Sequence, residues 1–186
     1  MALQFKIQLK GITKPPVWRR VVVPGTFTFQ RLHEVIQAAF GWWNDHLYQF
    51  SPGGYGTEPT ISIPSEDDWE PVTDAREVKL SDIFRKKGES FIYIYDFGDN
   101  WEHKITLEEV TDEKPQKASC TAGKGACPPE DCGGIWGYEE MKAILQSEPQ
   151  SDEAAEFRDW LGLEDDEPWD PKSFDVNVAN EEVMKV

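Results

Sequence analysis

The residues best suited to chemistry lie in YDFGDNWEH, Tyr95 to His103, which places two aspartates, a glutamate and a histidine around a glycine. The GD pair between two strand patterns predicts a two-residue hairpin turn of type II′, with Gly98 at positive φ. In that register Asp96 faces Trp101, and Asp96 and His103 are diagonal neighbours on one face. Asp99 is interpreted as a turn former.

Two interpretations of this pair stay open. Asp96 could orient His103 as a general base, which would make the pair a catalytic dyad. The favoured alternative is a buried polar pair that sets the hairpin register. A metal-dependent, hydrolase-like site would use His103 and Asp96 together with His46 and Asp99. His46 alone is more typical of a satisfied packing residue.

The three cysteines form a second candidate. Cys120, Cys127 and Cys132 lie in one segment, CTAGKGACPPEDCGG, and with His103 they could form a structural zinc site. Prolines directly after Cys127 remove N–H groups that would bond the sulfurs, which favours a rigid cap with the cysteines packed inward. A third reading makes Cys127 a nucleophile with His103 as its base.

Further residues are candidates for binding a partner or an ion. Glu130 and Asp131 could bind a cation or a partner's amide groups, or cap the helix predicted near Tyr138. Of the adjacent Arg19 and Arg20, one is expected to pair with a buried acid such as Asp96 and the other to face solvent. The candidate partner-binding residues are Arg19, Arg20, Trp42, Trp43, Trp101, Glu130 and Asp131.

Hydrophobic periodicity predicts the elements that position these residues. Predicted strands are LQFKIQLKGI, VWRRVVV, HLYQFS, TISI, SFIYIYDF and WEHKITLEEV. Predicted helices are FQRLHEVIQAAF, with Thr28 as N-cap and Gly41 as stop, then LSDIFRKKG, GYEEMKAILQS, SDEAAEFRDWLG and DVNVANEEVMKV. Residues 112–134 are predicted to be a loop.

This order predicts one α+β domain over residues 1–186, with a core of about 3–147 and a helical acidic tail of about 148–186. We expect a mainly antiparallel sheet with helices packed on one face. The hairpin–helix–strand order is β-grasp-like, and the tail is helical.

Composition limits the classes of function. The net charge is −16 in 186 residues, which opposes binding to nucleic acids and to anionic membranes. The chain contains no apolar run of membrane-spanning length and no signal-peptide pattern, so a cytoplasmic location is expected. Three cysteines in that setting do not predict a disulfide framework.

Three motifs carry a family resemblance over nearly the whole chain. PPVWRRVVVPGTFTFQRLHEVIQAAFGWWNDHLYQF, YIYDFGDNWEHKITLEEV and the cysteine segment up to its GY resemble the plasmid pRi open-reading-frame-three-like family. Its members are also described as mobile-element passenger proteins of the TnpR type. The resemblance implies an α+β fold, occurrence in plasmids, mobile elements and chromosomes, and no activity to carry over.

Two differences limit what the resemblance implies. The TnpR label suggests a resolvase, but the chain has no serine-recombinase signature or helix-turn-helix pattern and is strongly negative, which argues against that activity. Tyr48 stands where the family often has a second histidine, which weakens a two-histidine metal site.

Four functions therefore stay open. The leading one is a non-enzymatic protein-interaction module, because aromatic and acidic residues abound and no catalytic motif is complete. The alternatives are the metal-dependent hydrolase-like site, the structural zinc domain, and a nucleic-acid accessory protein.

Overall fold

A computed structural model describes residues 1–164 and 167–186; Asp165 and Asp166, in the predicted acidic tail, lie outside the described residues. The described ranges contain eight strands in one sheet, in the order β5-β4-β3-β6-β7-β1-β2-β8. Neighbouring strands are antiparallel except β4 and β5, which are parallel. The strands are β1 Ala2–Thr13, β2 Pro16–Pro24, β3 Tyr48–Ser51, β4 Ile61–Ser62, β5 Thr73–Asp74, β6 Ser90–Tyr95, β7 Trp101–Thr111 and β8 Ser119–Lys124.

Strand β1 shows why the sheet has one buried face. Its alternating Leu3, Phe5, Ile7 and Leu9 are buried, whereas the residues between them are half-buried and polar. Successive side chains point to opposite faces of a strand, so this pattern places every second residue in the core.

Helices cover that buried face. The described helices are α1 Phe29–Phe40, α2 Leu80–Ile83, α3 Gly134–Ser147, α4 Asp152–Leu161 and α5 Val176–Val183. The Thr28 hydroxyl accepts from Arg31 N–H at the start of α1, and Gly41 ends the helix in the left-handed region, as predicted. Phe29 of α1 packs edge-to-face on Phe50 of the sheet, with ring centroids 5.1 Å apart.

The α+β prediction is confirmed, with local corrections. The segment predicted to be a loop contains β8, which pairs with β2, and α3 begins at Gly134, earlier than expected. Helix α5 packs on β8 and α1 and contributes Ala179 and Val183 to the same core as the sheet. No helix in the described parts of the chain has the length and apolar character needed to cross a membrane.

The predicted register of the central hairpin is wrong by one residue. Tyr95 pairs with Trp101 and Tyr93 with His103, so these residues, and not Asp96, share the buried face. The connection is longer than two residues, and it is Asp96 and Asn100 that adopt positive φ, at 55° and 57°. Asn100 N–H donates to Asp96 O at 2.7 Å across it, and Gly98 N–H donates to Asp96 Oδ1 at 2.8 Å. A one-residue slip moves a whole side-chain set to the other face, which is why Asp96 and His103 do not form the expected pair.

The expectation for the two arginines is also corrected. Arg19 is buried and donates to the carbonyls of Trp18, Ala39, Lys124 and Gly125, not to an acid. Its guanidinium lies over the ring of Phe174 at 4.1 Å. Arg20 forms a two-pronged ion pair with Glu108. Neither is a free partner-binding residue; Arg19 instead joins β2 to the end of β8.

Candidate metal centre

One histidine and two aspartates from distant parts of the chain meet beside the hairpin turn. His46 lies just before β3, Asp96 directly after β6, and Asp131 in the loop between β8 and α3. One ligand atom from each lies within 4.8 Å of the other two. Within the described residues this is the one group of three or more histidine, cysteine or acidic side chains with that spacing.

The separations in this group suit a shared ion better than direct contacts. His46 Nε2 is 3.3 Å from Asp131 Oδ1 and 3.7 Å from Asp96 Oδ2. The first contact lacks hydrogen-bond geometry and the second is too long for a hydrogen bond. Two ligands bound tetrahedrally to zinc at about 2.1 Å lie roughly 3.4 Å apart.

Glu130 adds a buried carboxylate oxygen to the same place. Its Oε1 accepts from Trp43 N–H at 2.9 Å and from the Tyr95 hydroxyl at 3.1 Å. Its Oε2 lies 3.8 Å from His46 Nε2 and is buried without a hydrogen-bond partner in the described part of the chain. A buried carboxylate oxygen is costly unless it is paired, so Glu130 Oε2 is suited to accept from a donor or to face a cation.

Tyr95 holds Glu130 in this orientation. The tyrosine is fully buried, and its hydroxyl accepts from Asp45 N–H at 3.1 Å while it donates to Glu130. Burial and the neighbouring Glu130 raise the pKa of Tyr95, so the phenol stays protonated and keeps donating.

A closed set of hydrogen bonds shapes the loop that carries His46. His33 bonds Asn44 Oδ1 at 2.6 Å and the Tyr93 hydroxyl at 2.8 Å. Gln37 donates to the same hydroxyl and accepts from Asn44 N–H, both at 3.0 Å. Asn44 is thereby held at φ 62°. Burial lowers the pKa of His33 to about 4, so the ring is neutral and bonds as one donor and one acceptor.

Backbone conformation places the two aspartates. Asp96 and Asp131 have φ of 55° and 54°. The left-handed region is uncommon for residues with a side chain, and Asp and Asn tolerate it best. Asp96 is buried, whereas the Asp131 side chain is 74% exposed, so the centre opens to solvent on the Asp131 side.

His103 does not belong to this centre, which corrects the predicted dyad and hydrolase-like ligand set. The ring is fully buried between Phe40 and Trp42, with centroids 5.0 and 5.2 Å away. Its Nδ1 approaches Tyr93 O at 3.4 Å. Burial lowers the pKa of His103 to about 3, so it is a neutral core residue without solvent access.

The cysteines do not gather as zinc ligands. In the described ranges, Cys120, Cys127 and Cys132 are free, and none belongs to a group with metal-ligand spacing. Burial raises the pKa of all three thiols. Cys120 is buried and Cys127 and Cys132 are half-buried, and protonated thiols in such positions favour cysteines packed inward and oppose Cys127 as a nucleophile.

The remaining candidate residues from the sequence either make structural contacts or lie exposed at the surface. Asp99 Oδ2 accepts from Gly133 N–H at 3.2 Å and so links the hairpin turn to the start of α3. Trp101 is fully buried and Trp42 nearly so, with Trp42 Nε1–H donating to Pro128 O at 3.0 Å, so neither offers a partner surface. Trp43 is 76% exposed.

The sequence predicts His46 and Asp96 in one metal site, but together with His103 and Asp99. It gives Glu130 and Asp131 as a separate candidate for a cation or a partner and does not join them to that site. The grouping depends on loops that meet through the strand order β3-β6-β7, and no local spacing signals it.

Comparisons with known proteins place the chain in a family. The family model described as plasmid pRiA4b ORF-3-like protein matches residues 1–178. An uncharacterized protein, y4hQ, of Sinorhizobium fredii (strain NBRC 101917 / NGR234) is 42% identical over 168 residues, which are 88% of this chain and 82% of that protein. The crystal structure of MM3350, a protein of unknown function from Methanosarcina mazei Go1, has a TM-score of 0.79 at 38% identity and covers 95% of this chain and 96% of its own.

This chain therefore belongs to the plasmid pRiA4b ORF-3-like family, as its motifs indicated. The function of these relatives is not known, and neither name states an activity, a ligand or a partner. The mobile-element association and the cytoplasmic location stay predictions.

Proposed function

We propose that this protein binds one divalent transition-metal ion, zinc in the first instance, through His46, Asp96 and Asp131. The observation that carries the proposal is the unbonded histidine nitrogen that lies 3.3–3.8 Å from three carboxylates. A cation shared by these groups would neutralise the carboxylate oxygens that surround this one nitrogen.

The donor set agrees with this class of ion. One imidazole with carboxylates suits zinc, iron or manganese, whereas magnesium and calcium prefer oxygen ligands alone. The carboxylate beside the ligands is also fixed in orientation, because buried Tyr95 and Trp43 N–H both donate to Glu130.

Hydrolysis is the reaction class that this centre would support. Three protein ligands would leave a fourth position for water, as in catalytic zinc sites, and a bound ion would lower the pKa of that water. Glu130 Oε2, unpaired and directed to the same place, would accept the water's proton. In this proposal Glu130 takes the role of base that the sequence suggested for His103.

The test is metal content and affinity. Protein purified without tag or chelator is analysed by elemental mass spectrometry, and the metal-free form is titrated with zinc by calorimetry. We expect one ion per chain, and a loss of affinity of at least about 100-fold in Asp96→Asn and His46→Gln. Asp45→Asn is the matched control, because Asp45 is adjacent to His46 but outside the group; it should bind as the unmodified chain does. Stoichiometric binding that survives Asp96→Asn, or no binding in the unmodified chain, would refute the proposal.

A protein-interaction module is the second candidate. Two exposed tryptophans, Trp43 and Trp160, line one cleft next to the centre, and exposed tryptophans are typical of binding surfaces. The net charge of −16 opposes the nucleic-acid alternative.

A further inference from the structure

A cleft of about 250 Å³ lies beside the candidate centre. Three segments form it: the residues after α1, the proline-containing loop before α3, and the end of α4. The walls that matter here are Trp43, Pro128, Pro129 and Trp160, with Glu130 and Asp131 at one end.

The size and walls of the cleft suit one long side chain. Pockets for small molecules have volumes of roughly 300–1,000 Å³, and this cleft is smaller. Trp43 is 76% and Trp160 47% exposed, so both rings are accessible. Indole faces attract Lys and Arg more strongly than other aromatic rings do.

The charge around the cleft selects the same side chains. Helix α4, which provides Trp160, contains four acids and one base in ten residues. These acids are Asp152, Glu153, Glu156 and Asp159, and the base is Arg158. Glu130 and Asp131 lie at the end of the cleft, and helix α4, which forms one wall, has a net charge of −3, so an acidic or phosphorylated ligand would be repelled.

We propose that this cleft is the docking site for a basic segment of a partner protein, with an Arg or Lys side chain against Trp43 and Trp160. The stem of that side chain contacts the indoles and prolines, and its cationic head lies near Asp131. This proposal rests on the interaction-module candidate and does not require a bound metal.

Fluorescence anisotropy of a labelled (Gly-Arg)4 peptide with metal-free protein tests it. The unmodified chain should bind this peptide and not the matched (Gly-Glu)4 peptide. Trp43→Ala and Trp160→Ala should each weaken binding about tenfold, or about 1.4 kcal/mol, at unchanged net charge. Trp69→Ala is the control, since Trp69 is fully exposed and outside the cleft; its affinity should be that of the unmodified chain.

Two results would overturn the proposal. One is the absence of (Gly-Arg)4 binding at low salt. The other is binding that all three tryptophan variants retain equally, because attraction would then come from net charge alone. Zinc titration of the same variants keeps the two proposals apart, since Trp43→Ala and Trp160→Ala remove no metal ligand. Loss of peptide binding with intact zinc binding would leave the metal centre standing.

Discussion

Acidification from pH 8 to pH 5 is expected to destabilise this protein through two buried histidines. Burial lowers the pKa of His33 to about 4 and that of His103 to about 3. Both rings are therefore neutral in the fold, whereas the unfolded chain protonates them below about pH 6.5. Because the unfolded state binds more protons, stability is complete above about pH 6.5 and falls as the pH drops toward the folded pKa values.

The size of the effect follows from how far burial lowers the two pKa values. Each histidine removes about 1.4 kcal/mol per pH unit once the pH is below 6.5, or about 2 kcal/mol at pH 5. Together they remove about 4 kcal/mol, a large part of the roughly 5–15 kcal/mol that stabilises a typical domain. The loss ends near pH 4 for His33 and near pH 3 for His103.

Urea unfolding at pH 8, 7, 6 and 5, with a chelator present, measures this loss. His103→Gln should be less stable at pH 8, but its stability should depend on pH less steeply, by about 1.4 kcal/mol per unit below pH 6.5. His33→Gln should show the same two effects, a lower stability at pH 8 and a smaller dependence of stability on pH. Carboxylates titrate in all three proteins and cancel in the comparison. An unchanged slope in His103→Gln would refute the assignment of a neutral, buried ring.

Three further outcomes are expected. Zinc at about 100 times its Kd should raise the unfolding temperature by roughly 5–10 °C, and Asp96→Asn should abolish that rise in thermal scans. Arg19→Lys should cost roughly 2–4 kcal/mol in urea unfolding, since an ammonium cannot reach the four carbonyls that the guanidinium bonds; unchanged stability would contradict this. Gly134→Ala should lower the free energy of unfolding more than Gly162→Ala does, by at least about 1 kcal/mol. Both glycines have φ near 70°, so the backbone strain is alike. A Cβ at Gly134, however, would lie 2.7 Å from Asp99 O, whereas one at Gly162 would lie in open space. Equal losses would contradict the steric argument.

The parts of the fold that local chemistry determines could be predicted from the sequence. Alternation in β1 and the Thr28 and Gly41 caps of α1 each depend on a few neighbouring residues, and the structure confirms them. Strand β8 could not be predicted in this way, because SCTAGK combines small and polar residues and becomes a strand through pairing with β2.

The hairpin error has a similar cause. GD is a strong signal for a two-residue turn, but Asp96 and Asn100 both tolerate the left-handed region and close a longer connection. Tyr93 and Tyr95 then face the core, where Tyr95 bonds Glu130 and Tyr93 bonds His33. These polar contacts, made far from the turn, are consistent with the observed register. The segment YDFGDNWEH does not contain the partner residues, so it could not predict them.

The metal centre and the acidic end of the cleft share Glu130 and Asp131, and this predicts coupling between their ligands. A bound zinc ion neutralises two charges at the place where the cationic head of a basic segment would lie. Zinc should therefore weaken (Gly-Arg)4 binding, and the peptide should weaken zinc binding by the same factor, since coupling between two sites is reciprocal. Anisotropy titrations with and without zinc, and zinc calorimetry with and without saturating peptide, measure the two factors independently. Asp96→Asn supplies the control, because it removes a metal ligand outside the cleft and should make peptide affinity insensitive to zinc. Equal peptide affinity with and without zinc in the unmodified chain would show that the cationic head does not reach Asp131.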